Sequence, residues 1–141
     1  MIRKANAIWT GDLKSGKGTM SVPSGVLDAA AYTFATRFED RPGTNPEELV
    51  AAAHAGCFSM ALAAELGKAG FRPERVETTA AVTLDTVEGK PTVTRSQLTV
   101  KARVPGADRA RFLEIANGAK AGCPISRLLR AEITLEATLE S

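Results

Sequence analysis

An α+β fold is predicted for this 141-residue chain by three patterns in its sequence. The run from Leu49 to Leu66 is small and apolar on nearly all sides, which is typical of a long helix enclosed by protein. Two alternating runs, Val76 to Val87 and Thr92 to Val104, flank a turn with glycine and proline and predict a hairpin of long strands. Ile133 to Glu140 alternates as a strand with one wet face does. The length fits a single domain, residues 1–141.

The first forty residues predict a short β-meander. Ala7 to Thr10 and Thr19 to Val22 form its first two strands, and the turn-rich segment Gly11 to Gly18 joins them. The run Tyr32 to Phe38 predicts a third strand, on which Arg37 points away from the aromatic face.

The long helix has readable ends. Asn45 is its predicted N-cap and Pro46 occupies the first turn, where no amide donor is needed. Glu47 and Glu48 suit the positive end of the helix dipole, and Gly70 supplies the left-handed stop. Because alanine is abundant along this helix, the backbone of a neighbour, such as a second subunit, can approach it closely.

Two shorter helices are predicted between the hairpin and the last strand. Ala107 to Lys120 has helical spacing of its apolar residues. Pro124 favours an extended conformation at Cys123 and a new helix directly after it, over Ile125 to Arg130.

Composition excludes several functions. The 18 basic and 16 acidic residues are spread along the chain and leave a net charge of +2, so we expect no nucleic-acid partner. The apolar stretch Ala7 to Trp9 is too short for a secretion signal, and we expect a cytoplasmic protein. We expect no membrane span, because His54, Gly56 and Ser59 interrupt the most apolar segment.

The chain has two cysteines, Cys57 and Cys123, and one histidine, His54. These are too few soft ligands for a closed zinc site, so no metal is expected. In a reducing compartment the cysteines are either inert buried thiols or a redox pair. His54 lies three residues before Cys57 and is either its thiolate partner or a hydrogen-bonded structural residue.

A buried thiol needs a cation to become reactive, because burial disfavours the thiolate. Arg37 is the candidate cation, and Glu47 the carboxylate that fixes its guanidinium. On one straight helix, however, Glu47 and Cys57 are separated by a rise of about 15 Å. Three arrangements would resolve this: the first turn is a separate piece, the long arginine spans the gap, or the site combines two subunits.

Six segments of the chain form a specific pattern: Gly16–Gly18, Thr36–Phe38, Gly43–Leu49, Ala52–Leu62, Lys120–Pro124 and Ala131–Leu135. In these segments the sequence resembles the OsmC/Ohr family, and most closely its OsmC branch. The resemblance covers essentially the whole chain and is most specific in the spacing from the NPEEL segment to Cys57 and in the late Gly-Cys-Pro.

The resemblance implies a thiol peroxidase that reduces organic hydroperoxides, an antioxidant enzyme of the stress response. It implies an intertwined homodimer in which antiparallel sheets from both chains wrap around two long central helices. By this analogy Cys57 is the peroxidatic thiol and Cys123 the resolving thiol. Arg37 and Glu47 lower the pKa of Cys57 and orient the peroxide, and His54 stays structural.

The family also implies a recycling reductant, a lipoyl-type or other small dithiol, and no bound cofactor. The apolar neighbours of Cys57, notably Phe58 and Met60, favour alkyl or lipid hydroperoxides as substrates. Two alternatives are a hotdog-like thioesterase, which would stay active after both cysteines became serine, and a non-catalytic binding domain with buried thiols. Rapid loss of thiols to one equivalent of organic peroxide would exclude the second.

Overall fold

The computed structural model describes all residues from Met1 to Ser141, and the chain divides into two compact units, Met1–Leu49 and Val50–Ser141. The N-terminal unit contains the strands β1 (Asn6–Thr10), β2 (Lys17–Ser21) and β3 (Ala30–Tyr32), which form an antiparallel sheet of order β1-β2-β3. It also contains the short helix α1 (Phe34–Phe38) and the first turn of helix α2 (Pro46–Lys68).

Helix α1 corrects the prediction of a strand over Tyr32 to Phe38. Strand β3 ends at Tyr32, and Thr33 caps a helix instead: its side chain accepts a hydrogen bond from the Thr36 amide at 3.2 Å. The Thr36 hydroxyl in turn accepts one from the Thr33 amide at 2.9 Å. This reciprocal capping box satisfies amides that a strand would have to pair with a neighbour, and the local bonds outweigh the β-branched alternation.

Helix α2 begins where the sequence predicts. The Asn45 side chain accepts a hydrogen bond from the Glu48 amide at 2.8 Å, and Gly70, with a φ of +88°, follows the last helical residue, Lys68. The helix is continuous from Pro46. A separate first turn, the first of the three arrangements considered for Glu47, is therefore wrong.

The C-terminal unit packs α2 with a three-stranded sheet of order β4-β5-β6 and two helices. The antiparallel hairpin of β4 and β5 matches the prediction, and its turn residues Glu88 and Gly89 both have positive φ. Strand β6 pairs with β5 in parallel, so this sheet is mixed rather than wholly antiparallel. The elements are β4 (Arg75–Val87), β5 (Lys90–Arg103), α3 (Arg109–Gly122), α4 (Pro124–Leu128) and β6 (Glu132–Glu140).

Only one face of α2 is buried within this unit. His54, Phe58, Leu62 and Leu66 lie in the core one turn apart, against Leu98, Val100 and Phe112 among others. The opposite face is exposed and consists of small or apolar residues: Ala52, Ala53, Gly56, Met60 and Ala64. Within its own unit the helix is therefore not enclosed on all sides.

Helix α2 is long and apolar enough to cross a membrane by length and composition. The sequence argument that His54, Gly56 and Ser59 interrupt this segment too much for a membrane span is therefore wrong by this criterion. Core helices of soluble proteins meet it too, and one face of α2 has the contacts of such a helix. It places four side chains in the core, and its Ser59 hydroxyl donates to Thr78 of β4 at 2.8 Å.

Candidate active site

The two cysteines lie in contact. Cys57 is half-buried on α2, and Cys123 is fully buried between α3 and α4. Both are free thiols, and the Cys123 thiol donates to the Cys57 sulfur at 2.9 Å. Disulfide formation from this arrangement requires the sulfur atoms to move by less than 1 Å, to about 2.05 Å.

Local structure explains the position of Cys123. Helix α3 ends at Gly122, and the Cys123 amide still donates to the Ala119 carbonyl at 2.9 Å. Pro124 then occupies the first position of α4, which leaves Cys123 with φ −55° and ψ 129° at the junction. The thiol is thus held at a bend between two helices rather than in the middle of one.

Its surroundings make Cys57 a weaker acid. Burial raises the pKa of the Cys57 thiol, and the hydrogen bond from Cys123 raises it further, whereas a hydrogen bond from the Ile125 backbone amide lowers it. A thiolate that attacks peroxide is therefore not favoured by these neighbours alone. A charge that stabilised a thiolate here would have to come from residues other than these neighbours.

In the N-terminal unit, Arg37 and Glu47 form the predicted ion pair. The Arg37 Nη2 donates to Glu47 Oε1 at 2.8 Å, and its Nε lies 3.2 Å from both carboxylate oxygens. The Glu47 side chain is 13% exposed and that of Arg37 34%. The guanidinium also lies 5.1 Å from the centre of the Phe38 ring. One edge of the guanidinium is thus fixed, and 34% of the side chain stays open to a ligand.

An aromatic recess opens beside this guanidinium. It has a volume of about 210 Å³, and Arg37 forms part of its wall. Trp9 and Tyr32, whose ring centres are 5.4 Å apart, line it from the sheet. The other lining residues are Leu13, Thr33, Phe34 and Phe38. A mostly apolar cavity with one cation in its wall suits an organic molecule with one polar end.

His54 is fully buried and hydrogen-bonded through both ring nitrogens. Nδ1 lies 2.6 Å from the hydroxyl of Ser96 on β5, and Nε2 lies 2.7 Å from the hydroxyl of Ser126 on α4. Burial lowers the pKa of His54, which favours the neutral imidazole. Since both nitrogens are occupied, the histidine has the hydrogen-bonded structural arrangement rather than a thiolate pairing.

One sequence argument for apolar substrates does not survive. Phe58 is adjacent to Cys57 in the sequence, but its ring lies in the core with no exposed surface. It cannot contact a substrate there. Met60, at 78% exposure, stays available. The aromatic recess beside Arg37 is the apolar feature that the sequence argument missed.

Sequence reasoning also missed both serine partners of His54. Ser96 had a usable signal: it shares the inward face of β5 with Leu98, Val100 and Ala102, and a polar residue at such a position needs a buried partner. Ser126 had no such signal. The chain contains no group of three or more His, Cys, Asp or Glu side chains that could hold a metal ion.

Comparison with known proteins gives a consistent result. The model of the family described as OsmC-like protein matches residues 38–138. Peroxiredoxin OsmC of Escherichia coli strain K12 is 53% identical over 139 residues, which cover 99% of this chain and 97% of that protein. The organic hydroperoxide resistance protein OhrB of Bacillus subtilis strain 168 is 26% identical, over 87% and 89% of the two chains.

Solved structures share the fold. An OsmC-like protein from Mycoplasma pneumoniae superposes with a TM-score of 0.76 over 100% of this chain and 99% of the other, at 13% identity. The crystal structure of Bacillus subtilis OhrB gives a TM-score of 0.64 over 97% and 98%, at 25% identity.

The paired thiols on an α+β scaffold define a cysteine-based redox protein. The family match and the 53% identity to a peroxiredoxin OsmC make the assignment specific. The chain belongs to the OsmC-like protein family.

Proposed function

We propose that this protein is a thiol peroxidase that reduces organic hydroperoxides to alcohols. The observation that carries the proposal is the 2.9 Å contact between the sulfurs of Cys57 and Cys123. Relatives named peroxiredoxin OsmC and organic hydroperoxide resistance protein support it. Membership of their family also favours a peroxidase over a thioesterase or a non-catalytic domain.

Cys57 is the proposed peroxidatic residue, because it is the less buried of the two thiols. Its thiolate attacks the distal oxygen of the hydroperoxide and breaks the O–O bond; the alkoxide takes up a proton and leaves as the alcohol. Cys57 is thereby oxidised to the sulfenic acid. The Cys123 thiol then attacks that sulfur, water leaves, and a disulfide joins Cys57 to Cys123.

The proposed reductant is an external dithiol of small, lipoyl-type chemistry. It reduces the disulfide by exchange, and its own two thiols become a disulfide. No bound cofactor takes part, because the two cysteine thiols supply both electrons that reduce the peroxide.

Arg37 and Glu47 are proposed to activate Cys57. The carboxylate holds the guanidinium by three contacts of 2.8 to 3.2 Å, and its remaining donors can stabilise the thiolate and hold a peroxide oxygen. Glu47 lies ten residues before Cys57 on the continuous helix α2, a rise of about 15 Å. This separation favours the arrangement in which Arg37 and Glu47 of one chain serve Cys57 of a second copy.

A homodimer is therefore part of the proposal. The exposed face of α2 supports it, because Gly56, the alanines around it and Met60 present an apolar surface of small residues. Two such faces can pack with their backbones close together. An intertwined dimer built on these faces encloses the helix that a single chain leaves open.

The recess beside Arg37 is the proposed site for the organic tail of the peroxide. Its volume of about 210 Å³ and its aromatic walls favour alkyl or aryl hydroperoxides over hydrogen peroxide. We expect the protein to act in the cytoplasm as a single OsmC-like domain, in the antioxidant response to stress. We expect neither nucleic acid nor membrane as a partner.

Mass spectrometry after one equivalent of cumene hydroperoxide tests the proposal. The wild type should lose both thiols and gain an intramolecular disulfide. Cys57→Ser should consume no peroxide, whereas Cys123→Ser should consume one equivalent and retain a sulfenic acid that a dimedone probe traps. A Cys57→Ser variant with wild-type activity would overturn the assignment.

A further inference from the structure

Helix α4 contributes three groups to the surroundings of α2. Cys123, directly before its first residue, donates to the Cys57 sulfur at 2.9 Å. The Ile125 backbone amide lies near Cys57 and lowers the pKa of its thiol. Ser126 bonds to the imidazole of His54 at 2.7 Å, and His54 lies one helical turn before Cys57. The short segment from Cys123 to Ser126 is thus attached to one stretch of α2 at two neighbouring residues.

Apart from these bonds, helix α4 is held by the apolar packing of one partly buried residue, Ile125, against the core. It is five residues long and none of its side chains is fully buried. A helix of this length does not persist by itself in water, so its position depends on its contacts. The His54–Ser126 bond is the side-chain hydrogen bond that joins a residue within α4 to α2, and Ser96 of β5 fixes the other side of the ring at 2.6 Å.

We propose that His54, acting through Ser126, is a positioning residue that holds Cys123 in place for attack on oxidised Cys57. This role rests on the proposed peroxidase function. His54 takes no part in the attack on peroxide. It governs the second step, in which the Cys123 sulfur must reach the Cys57 sulfenic acid before a second peroxide oxidises that group to the sulfinic acid.

The test measures the two steps separately. In quenched-flow mass spectrometry with cumene hydroperoxide, Ser126→Ala should lose the Cys57 thiol at the wild-type rate but form the disulfide about tenfold more slowly, because small misplacements are costly in such reactions. In this variant, sulfinic acid at Cys57 should then appear at a peroxide concentration about tenfold lower than in the wild type. Ser126→Thr keeps the hydroxyl and should behave as the wild type.

Ser59→Ala is the matched control. It also removes a 2.8 Å hydroxyl bond between α2 and the sheet, but that bond leads to Thr78 and not to α4. A general loosening of α2 would slow disulfide formation in both variants. Equal rates of disulfide formation in Ser126→Ala and Ser59→Ala would overturn the proposal.

A second pair of variants gives an independent answer if Ser126→Ala is poorly folded. The amide nitrogen of asparagine replaces Nδ1 of histidine, and that of glutamine replaces Nε2. His54→Asn should keep the bond to Ser96 and lose the one to Ser126, and should therefore form the disulfide slowly. His54→Gln should form the disulfide at the wild-type rate. The reverse order would contradict the proposal. A wild type that neither consumes peroxide nor forms the disulfide would instead refute the proposed function itself.

Discussion

The reactivity of Cys57 depends on a charge that its immediate neighbours do not supply. Burial and the Cys123 thiol both favour the neutral thiol, and one backbone amide opposes them. The guanidinium of Arg37, held by Glu47, is the group we propose to reverse this balance. A single arginine then decides between an inert thiol and a nucleophile.

We expect Arg37→Met to raise the pKa of Cys57 above its ordinary value of 9.0, because burial then acts unopposed by a cation. Peroxidase kcat/KM should fall about 100-fold with the lost electrostatic stabilisation. The rate of iodoacetamide alkylation against pH, in a Cys123→Ser background, measures the shift. Arg95→Met, which breaks the exposed pair with Glu132, is the control. Superimposable curves for Arg37→Met and its parent would contradict the role of Arg37.

His54 gives the fold a pH dependence. Burial lowers the pKa of His54 in the folded state below its ordinary value of 6.5. Below pH 6.5 the unfolded chain therefore binds more protons than the folded chain does. The free energy of unfolding should therefore decrease as pH falls from about 6.5, by at most about 1.4 kcal/mol per pH unit. Urea unfolding at about pH 7.5 and pH 5.5 measures this loss. His54→Gln has no imidazole, so its free energy of unfolding should decrease less between these pH values. An equal decrease in both proteins would show that other titrating groups cause the pH dependence.

The junction between α1 and α2 depends on one asparagine. Asn45 accepts from the Glu48 amide at 2.8 Å, and its Nδ2 donates to the Thr36 carbonyl at 3.0 Å. The first bond caps α2 and the second ties the end of α1 to it. This residue thereby keeps the elements that carry Arg37 and Glu47 together.

Asn45→Ala should lower the free energy of unfolding by about 2 kcal/mol, since it removes both bonds. Asn45→Asp keeps the cap and should cost only about half as much. Asp108→Ala, which removes the single 2.8 Å cap of α3, is a suitable comparison. Denaturant unfolding monitored by circular dichroism measures all three. A cost for Asn45→Ala no larger than for Asp108→Ala would show that the bond to Thr36 contributes nothing.

At the scale of the whole molecule, the exposed apolar face of α2 is the main surface of the chain without a partner. Small apolar residues that face outward along a 23-residue helix are typical of a surface that contacts a partner. The proposed dimer covers it with a second copy and, in the same step, brings an arginine of one chain to the thiol of the other. Assembly and catalysis are then coupled.

Met60→Glu should produce monomers and abolish peroxidase activity, because it buries a charge in the proposed interface. Light scattering after gel filtration measures the mass, and the activity assay uses cumene hydroperoxide. Val87→Glu, at a 44% exposed position beside the hairpin turn, should leave both unchanged. A fully active Met60→Glu monomer would refute the shared site.

Much of the fold and part of the site could be predicted because their causes are local. Asn45 and Pro46 start α2 and Gly70 ends it, and alternation alone identifies β4, β5 and β6. The same alternation failed over Tyr32 to Phe38, where the bonds between Thr33 and Thr36 form a helix. Both cysteines could be selected as candidates from the sequence, whereas the aromatic recess and the serine partners of His54 could not.

The α+β class, most element boundaries and the family follow from the amino-acid sequence, since these depend on residues close together along the chain and on specific motifs. Which distant residues meet is known only from the three-dimensional fold. Cys57 and Cys123 are 66 residues apart and His54 and Ser126 are 72 apart, yet each pair is in contact. The parallel pairing of β6 with β5 is another contact that the local sequence does not predict. Such contacts arise when the core buries its apolar faces together, a condition on the whole chain that no local pattern records.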